Sequence, residues 1–235
     1  MPGAVRRGKF QLVSFLGRAD LLCLRIEVQC MARSAKALFL RVHPSDYSVV
    51  VGYGRRVENI GLVHRITLQE WTEASSIPSA LVSMLLRLPK VKFVIVTLGK
   101  DGCIMLQRTE MDNLLPEEMD VEDLFEKLNL EKDTNATLPA CISSNVAKLH
   151  AKGIGTIIGK LLVGTAESIP QTELIDTTGA GDAFIGAVLH SIYANMPPEK
   201  MLQFAAQVAA IKCRTLGARA GLPRYTDPRL SPFLV

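Results

Sequence analysis

From Thr67 onward the apolar positions fall into a readable order. Ile77, Leu81, Met84, Leu85 and Leu88 recur at helical spacing, which predicts a helix over 76–88 with Pro78 in its first turn and Pro89 as its stop. Residues 92–98 (KFVIVTL) are continuously apolar, β-branched at their centre and closed by Gly99, the pattern of a buried strand in a parallel sheet. A partner strand is predicted over 102–106, after a tight turn. The stretch 111–137 is acidic and polar, with a helix at 121–128. Another helix is predicted over 141–151, and one or two strands over 153–162. A short strand ends at Ile175, a turn follows, and a helix runs over 181–194. Pro197 and Pro198 open a last helix, 199–214. Before Thr67 the periodicity is poor. Residues 36–42 and 48–51 read as strands around a turn at His43, Pro44, Ser45 and Asp46. Strands alternating with helices predict an α/β fold with helices on both faces of a mostly parallel sheet. No internal repeat or low-complexity tract interrupts it.

Composition narrows the class. A chain of 235 residues allows one large α/β domain or two small ones. Hydrophobic residues at 48% and charged residues at 21% describe a chain that buries a core, not a disordered one. No apolar run reaches 18 residues, so no membrane-spanning helix is expected. The five cysteines (Cys23, Cys30, Cys103, Cys141, Cys213) are scattered and never spaced C-x-x-C, which argues against a zinc site or a disulfide framework and suits a reducing compartment. Charge is uneven. Up to Arg65 there are eleven Lys/Arg against four Asp/Glu, and beyond it sixteen against nineteen. The chain therefore divides into a basic, atypical segment, 1–66, and a second region, 67–230. The basic segment is poor in serine, unlike most transit peptides, so the cytoplasm is the expected compartment and organelle import the alternative. Its basic residues lack aromatic interleaving, so neither nucleic acid nor membrane is expected as a partner.

The chemistry concentrates in Asp176-Thr177-Thr178-Gly179-Ala180-Gly181-Asp182-Ala183-Phe184-Ile185-Gly186-Ala187. Three small residues lead into a helix whose first amides have no intrahelical partner and whose dipole adds positive charge. Glycine there lets a ligand approach the backbone. The result is an anion cradle suited to phosphate, with the carboxylate of Asp182 in the same turn. Helix capping alone also explains an aspartate at that place.

The full string resembles the signature of the ribokinase-like (pfkB) carbohydrate kinases. Val94 to Gly102, carrying T-x-G-x-x-G, is similar to the family's nucleotide-side strand and turn. Phe204 to Pro223 is similar to its final helix and cation loop. The resemblance covers roughly residues 67 to 230. It implies a ribokinase-like three-layer α/β/α sandwich, incomplete at its N-terminal side. It implies an ATP-dependent phosphotransferase acting on a hydroxyl of a small-molecule sugar or nucleoside, with Mg2+ and a potassium-type monovalent cation. Asp182 would be the catalytic base, and Gly179, Ala180 and Gly181 the anion hole. Thr97, Gly99, Gly102 and Ala209 would meet the nucleotide. Asp176 and Thr178, with backbone near Gly217 and Gly221, would form the cation site. Many relatives form homodimers through a lid. The helix field is expected to lower the pKa of Asp182.

This chain departs from the family's pattern in places. It has no Gly-Gly pair and no N-x-x-E element, and residues before Thr67 do not resemble the family. Truncation, alternative splicing or an altered 5′ gene model is the expected reason. The competing functional class is a catalytically weak nucleotide-binding or regulatory protein. Other motifs read as structural. Residues 155–160 (GTIIGK) fall short of a P-loop because Leu161 replaces the magnesium-binding hydroxyl. No G-x-G-x-x-G is present, and the four histidines lack metal spacing. Trp71 and His190 are assigned to packing, and Ala205, Ala209 and Ala210 to a small-residue helix face. Lys100 and Arg219 are divided between phosphate contact and solvated charge.

Overall fold

Alternation within three adjacent strands organises the molecule. The computed structural model describes residues 27–30, 37–42, 47–52, 72–89, 91–109, 117–133 and 136–233. Strand β4, Phe93–Thr97, sends Phe93 and Ile95 to one face and Val94 and Val96 to the other. Its antiparallel partner β5, Cys103–Arg108, divides the same way, Cys103 and Met105 against Ile104 and Leu106. Strand β9, Gly155–Gly164, completes the centre with Leu162 on the first face and Leu161 and Val163 on the second. Because both faces are apolar, each needs a layer of helices. The second face is covered by α1, Ile77–Arg87, and α2, Val121–Leu130. The first is covered by α3, Ala180–Tyr193, and α4, Pro198–Lys212. The expected α/β sandwich of three layers is thus present, with two separate cores.

The helices start and stop for local reasons. Ser76 caps α1 by accepting the amide of Ser79, and Pro78 fits the first turn, where no amide is needed. Asp120 caps α2 through the amide of Glu122. Glu122 in turn accepts the hydroxyls of Ser76 (2.6 Å) and Ser79 (2.8 Å), fastening the two helix starts together.

The sheet runs β1-β2-β3-β4-β5-β9-β8-β6, with β1 Glu27–Cys30, β2 Ala37–Val42, β3 Tyr47–Gly52, β6 Glu118–Asp120 and β8 Ala147–Ala151. Strand β7, Cys141–Ser143, lies beside the end of β9. The strands expected over 36–42 and 48–51 are present as β2 and β3, and the turn between them lies outside the described residues. These early strands join the same sheet, with Val49 opposite Phe93 and Gly52 opposite Val96 in parallel register.

Three expectations need correction. The sheet is mixed and not mostly parallel: among the described residues six of eight pairings are antiparallel. Short turns such as 98–102 and 152–154 join neighbours, and a tight turn can link only antiparallel strands. The helix expected over 141–151 is two strands. Ala147, Leu149 and Ala151 are buried while Lys148 and His150 are half-buried, which is a period of two. No strand ends at Ile175 either, because the amides of Ile175 and Asp176 both donate to the carbonyl of Cys213.

Candidate active site

The C-terminal end of α4 and the N-terminal end of α3 meet at one corner. The loop between β9 and α3 is drawn there by two attachments. Glu167 accepts the buried amide of Gln207 (2.8 Å) and the guanidinium of Arg214 (2.7 Å), and Glu173 accepts Arg214 as well (2.7 Å). The carbonyl of Cys213 then takes the amides of Ile175 (3.0 Å) and Asp176 (3.1 Å). Asp176 is the hub. One carboxylate oxygen accepts the amide of Thr178 (2.8 Å), and the other accepts the amide of Gly217 (2.7 Å). These donors favour the charged form. Thr178, through hydroxyl and amide, acts first and Gly217 next, holding the Asp176 carboxyl down to about 2.

The chain enters α3 through Gly179, whose φ of +80° is left-handed. A side chain there would be strained, and a Cβ would also lie 2.8 Å from the Cβ of Ala218. The amide of Ala180 is taken by the carbonyl of Thr177 (3.1 Å). The amides of Gly179, Gly181 and Asp182 have no hydrogen-bond partner among the described residues. Of the three residues expected to form the anion hole, two therefore offer unspent donors, and Asp182 adds a third. The expected set followed the family resemblance and did not include that third amide, although any helix starting at Gly181 would leave it free.

Asp182 has an exposed side chain in the first turn of α3. No donor among the described residues reaches its carboxylate. Partial burial pushes its pKa up from the usual aspartate value. This direction is opposite to the downward shift expected from the helix field, and its cause is desolvation.

The remaining candidates group in two places. Gly221 belongs to the corner: a Cβ on it would lie 2.7 Å from the carbonyl of Lys212. Ala209 is half-buried one turn before the end of α4, where its carbonyl accepts the amide of Cys213. Thr97, Gly99 and Gly102 stand apart, at the last residue of β4 and in the turn that leads to β5. Gly99 (φ +64°) and Gly102 (φ +92°) shape that turn, and the amide of Leu98 closes it on the carbonyl of Gly102 (2.7 Å). A Cβ on Gly102 would lie 2.0 Å from the carbonyl of Gly164, so the turn rests backbone to backbone on the end of β9. A cleft of about 530 Å³ opens beyond Gly221, between Ile211, Arg214, Thr215, Arg224 and Asp227. It borders the corner but does not include the residues from Gly179 to Asp182.

One residue that sequence reasoning passed over sits at the centre. Lys212 is fully buried. Its ammonium donates to the carbonyls of Asp176 (2.7 Å) and Thr215 (3.4 Å) and lies 3.9 Å from the Asp176 carboxylate. A potassium ion among these oxygens would sit against a fixed positive charge. Two like charges about 4 Å apart repel by roughly 4 kcal/mol under protein-like screening. The residues present therefore do not fit a monovalent cation at Asp176. The signal was legible: a lone lysine closes the apolar run Val208-Ala209-Ala210-Ile211.

Other residues keep structural places. His190 packs its ring on Phe204 at 5.6 Å, and burial lowers its pKa. Lys100 and Arg219 are exposed. Residues 155–160 run inside β9, and Trp71 lies outside the described residues.

The pattern described as "pfkB family carbohydrate kinase" matches residues 111–224, and this C-terminal part of the chain is similar to that family. The ribokinase of Lactococcus lactis is 26% identical over 119 residues, covering 50% of this chain and 37% of that protein. The ribokinase of Arabidopsis thaliana is 29% identical over 137 residues, 51% of this chain and 36% of that protein. The chain thus spans little more than a third of the length of these curated relatives. Among solved structures, Arabidopsis thaliana ribokinase complexed with ribose and ATP overlays with a TM-score of 0.39 and 19% identity, covering 72% of this chain and 38% of that one.

Proposed function

We propose that the corner formed by α3 and α4 is the phosphoryl-transfer half of an ATP-dependent kinase acting on a hydroxyl of a sugar or nucleoside. The observation that carries the reading is the set of unspent amides at Gly179, Gly181 and Asp182 beside a carboxylate with no competing donor. The match of residues 111–224 to the carbohydrate-kinase family pattern supports it.

In this reading the amides and the α3 dipole hold the transferred phosphoryl oxygens, where charge gathers in a loose transition state. The acceptor oxygen bonds to the γ-phosphorus, the bond to the β–γ bridging oxygen breaks, and ADP leaves. Asp182 orients the acceptor hydroxyl and takes its proton. Its raised pKa makes it a stronger base than an ordinary aspartate, and the loose transition state asks for that proton late. The turn at Thr97, Gly99 and Gly102, with Ala209 on α4, lies on the nucleotide side. Mg2+ enters with ATP, and such ions commonly draw most of their ligands from phosphate oxygens and water.

The test is ADP formation by the full chain with MgATP across pentoses, hexoses and nucleosides, paired with ATP-dependent thermal stabilisation. Transfer to one acceptor class, with stabilisation by ATP, is the expected result. Stabilisation without transfer would reduce the reading to nucleotide binding. Neither signal would reject it.

A further inference from the structure

We propose that the ammonium of Lys212 is a built-in replacement for the monovalent cation, so that the Asp176 corner holds its shape without potassium. The inference rests on the placement of Lys212 and not on catalytic turnover.

The corner needs positive charge. The carbonyls of Asp176 and Thr215 converge with the Asp176 carboxylate behind the start of α3, at the C-terminal end of α4, where the helix dipole is negative. Carbonyl and carboxylate oxygens collected in this way would repel one another without a cation. Lys212 supplies it from within the chain. An ammonium has three donors and no acceptor. Two of its donors are spent on the carbonyls, and the charge lies 3.9 Å from the carboxylate, its ion-pair partner. With no exposure to solvent, this lysine would be untenable unless those oxygens received it. Gly221 is part of the fit. Its lack of a side chain leaves the carbonyl of Lys212 and the side chain of Thr215 undisturbed, and a Cβ there would approach them to 2.7 and 2.9 Å. A covalently tethered charge also costs nothing in concentration. A bound ion stabilises only in proportion to its supply.

The experiment measures thermal midpoints of the full chain in potassium, sodium and tetramethylammonium chloride at equal ionic strength, without nucleotide. The wild-type midpoint should be the same in all three salts. Lys212→Ala should melt lower in tetramethylammonium and recover by several degrees as potassium rises to about a hundredfold its dissociation constant. A selective rise of the wild-type midpoint with potassium would overturn the proposal. So would a Lys212→Ala chain that folds but ignores potassium. Should that variant not fold, wild-type crystals soaked in rubidium decide. Anomalous scattering between Asp176 and Thr215 would refute the built-in cation, and its absence, with salt-indifferent melting, would sustain it. These readouts need no phosphorylation, so they stand or fall separately from the kinase assignment.

Discussion

Asp182 and Asp176 lie six positions apart and have opposite electrostatic fates. Asp176 is surrounded by donors and stays ionised down to about pH 2, whereas Asp182 has none and its pKa is raised. The first is suited to holding structure and the second to exchanging a proton. If Asp182 is the base, Asp182→Asn should lose roughly 10²- to 10⁴-fold in turnover while ATP still stabilises the fold. Rates and melting curves of the same preparation check both halves. Asp176 makes a pH prediction. Its folded pKa lies below the unfolded value of about 3.9, so its stabilisation is complete above that value and is lost as pH falls toward about 2. The difference in thermal midpoint between wild type and Asp176→Asn should shrink across that window. Gly179→Ala should cost on the order of 1–3 kcal/mol in a denaturant titration, since it forces a left-handed φ and crowds Ala218.

At the level of elements, the loop from Thr165 to Asp176 is tied at its start to Thr137 and Ala140 and further on to the last turns of α4 and the residues just after it. Glu167→Ala would strip the buried amide of Gln207 of its acceptor and cut one of the two carboxylate anchors of Arg214. An unsatisfied buried donor costs about 1–3 kcal/mol, and urea unfolding should show a loss of that size. Here the limits of sequence reading have a physical cause. Helix α1 was legible because an early proline, a proline stop and a clean 3.6 repeat all agreed. The strand over 93–97 was legible from its β-branched run. Strands β7 and β8 were not. Ala147, Leu149 and Ala151 carry the alternation, but alanine and the aliphatic part of lysine blur the contrast between faces. At the site, the Gly179–Asp182 turn was visible as a motif. The direction of the Asp182 shift was not, because water exclusion depends on neighbours distant in sequence. Lys212 showed the same gap, since its acceptors come from residues 176 and 215.

For the molecule as a whole, the two-sided burial of the central strands has a measurable signature. Leu161 and Leu162 are adjacent in sequence, both fully buried, and belong to different cores. Truncating either to alanine should cost about 2–5 kcal/mol, where a sheet with one wet face would tolerate every second change. Cys103 is sealed between β9 and the α4 layer, and burial raises its thiol to about 12. It should resist alkylation at neutral pH until the chain unfolds, as mass spectrometry of labelled protein would show. The hold of α4 on the loop before α3 has a dynamic consequence. Cys213 grips that loop at Ile175 and Asp176, and Glu167 ties it to Gln207 and Arg214, so loosening the last turn of one helix releases the threshold of the other. Deuterium uptake at the amides of Ile175, Asp176 and Thr178 should accordingly rise together with that of Cys213, as a single opening event.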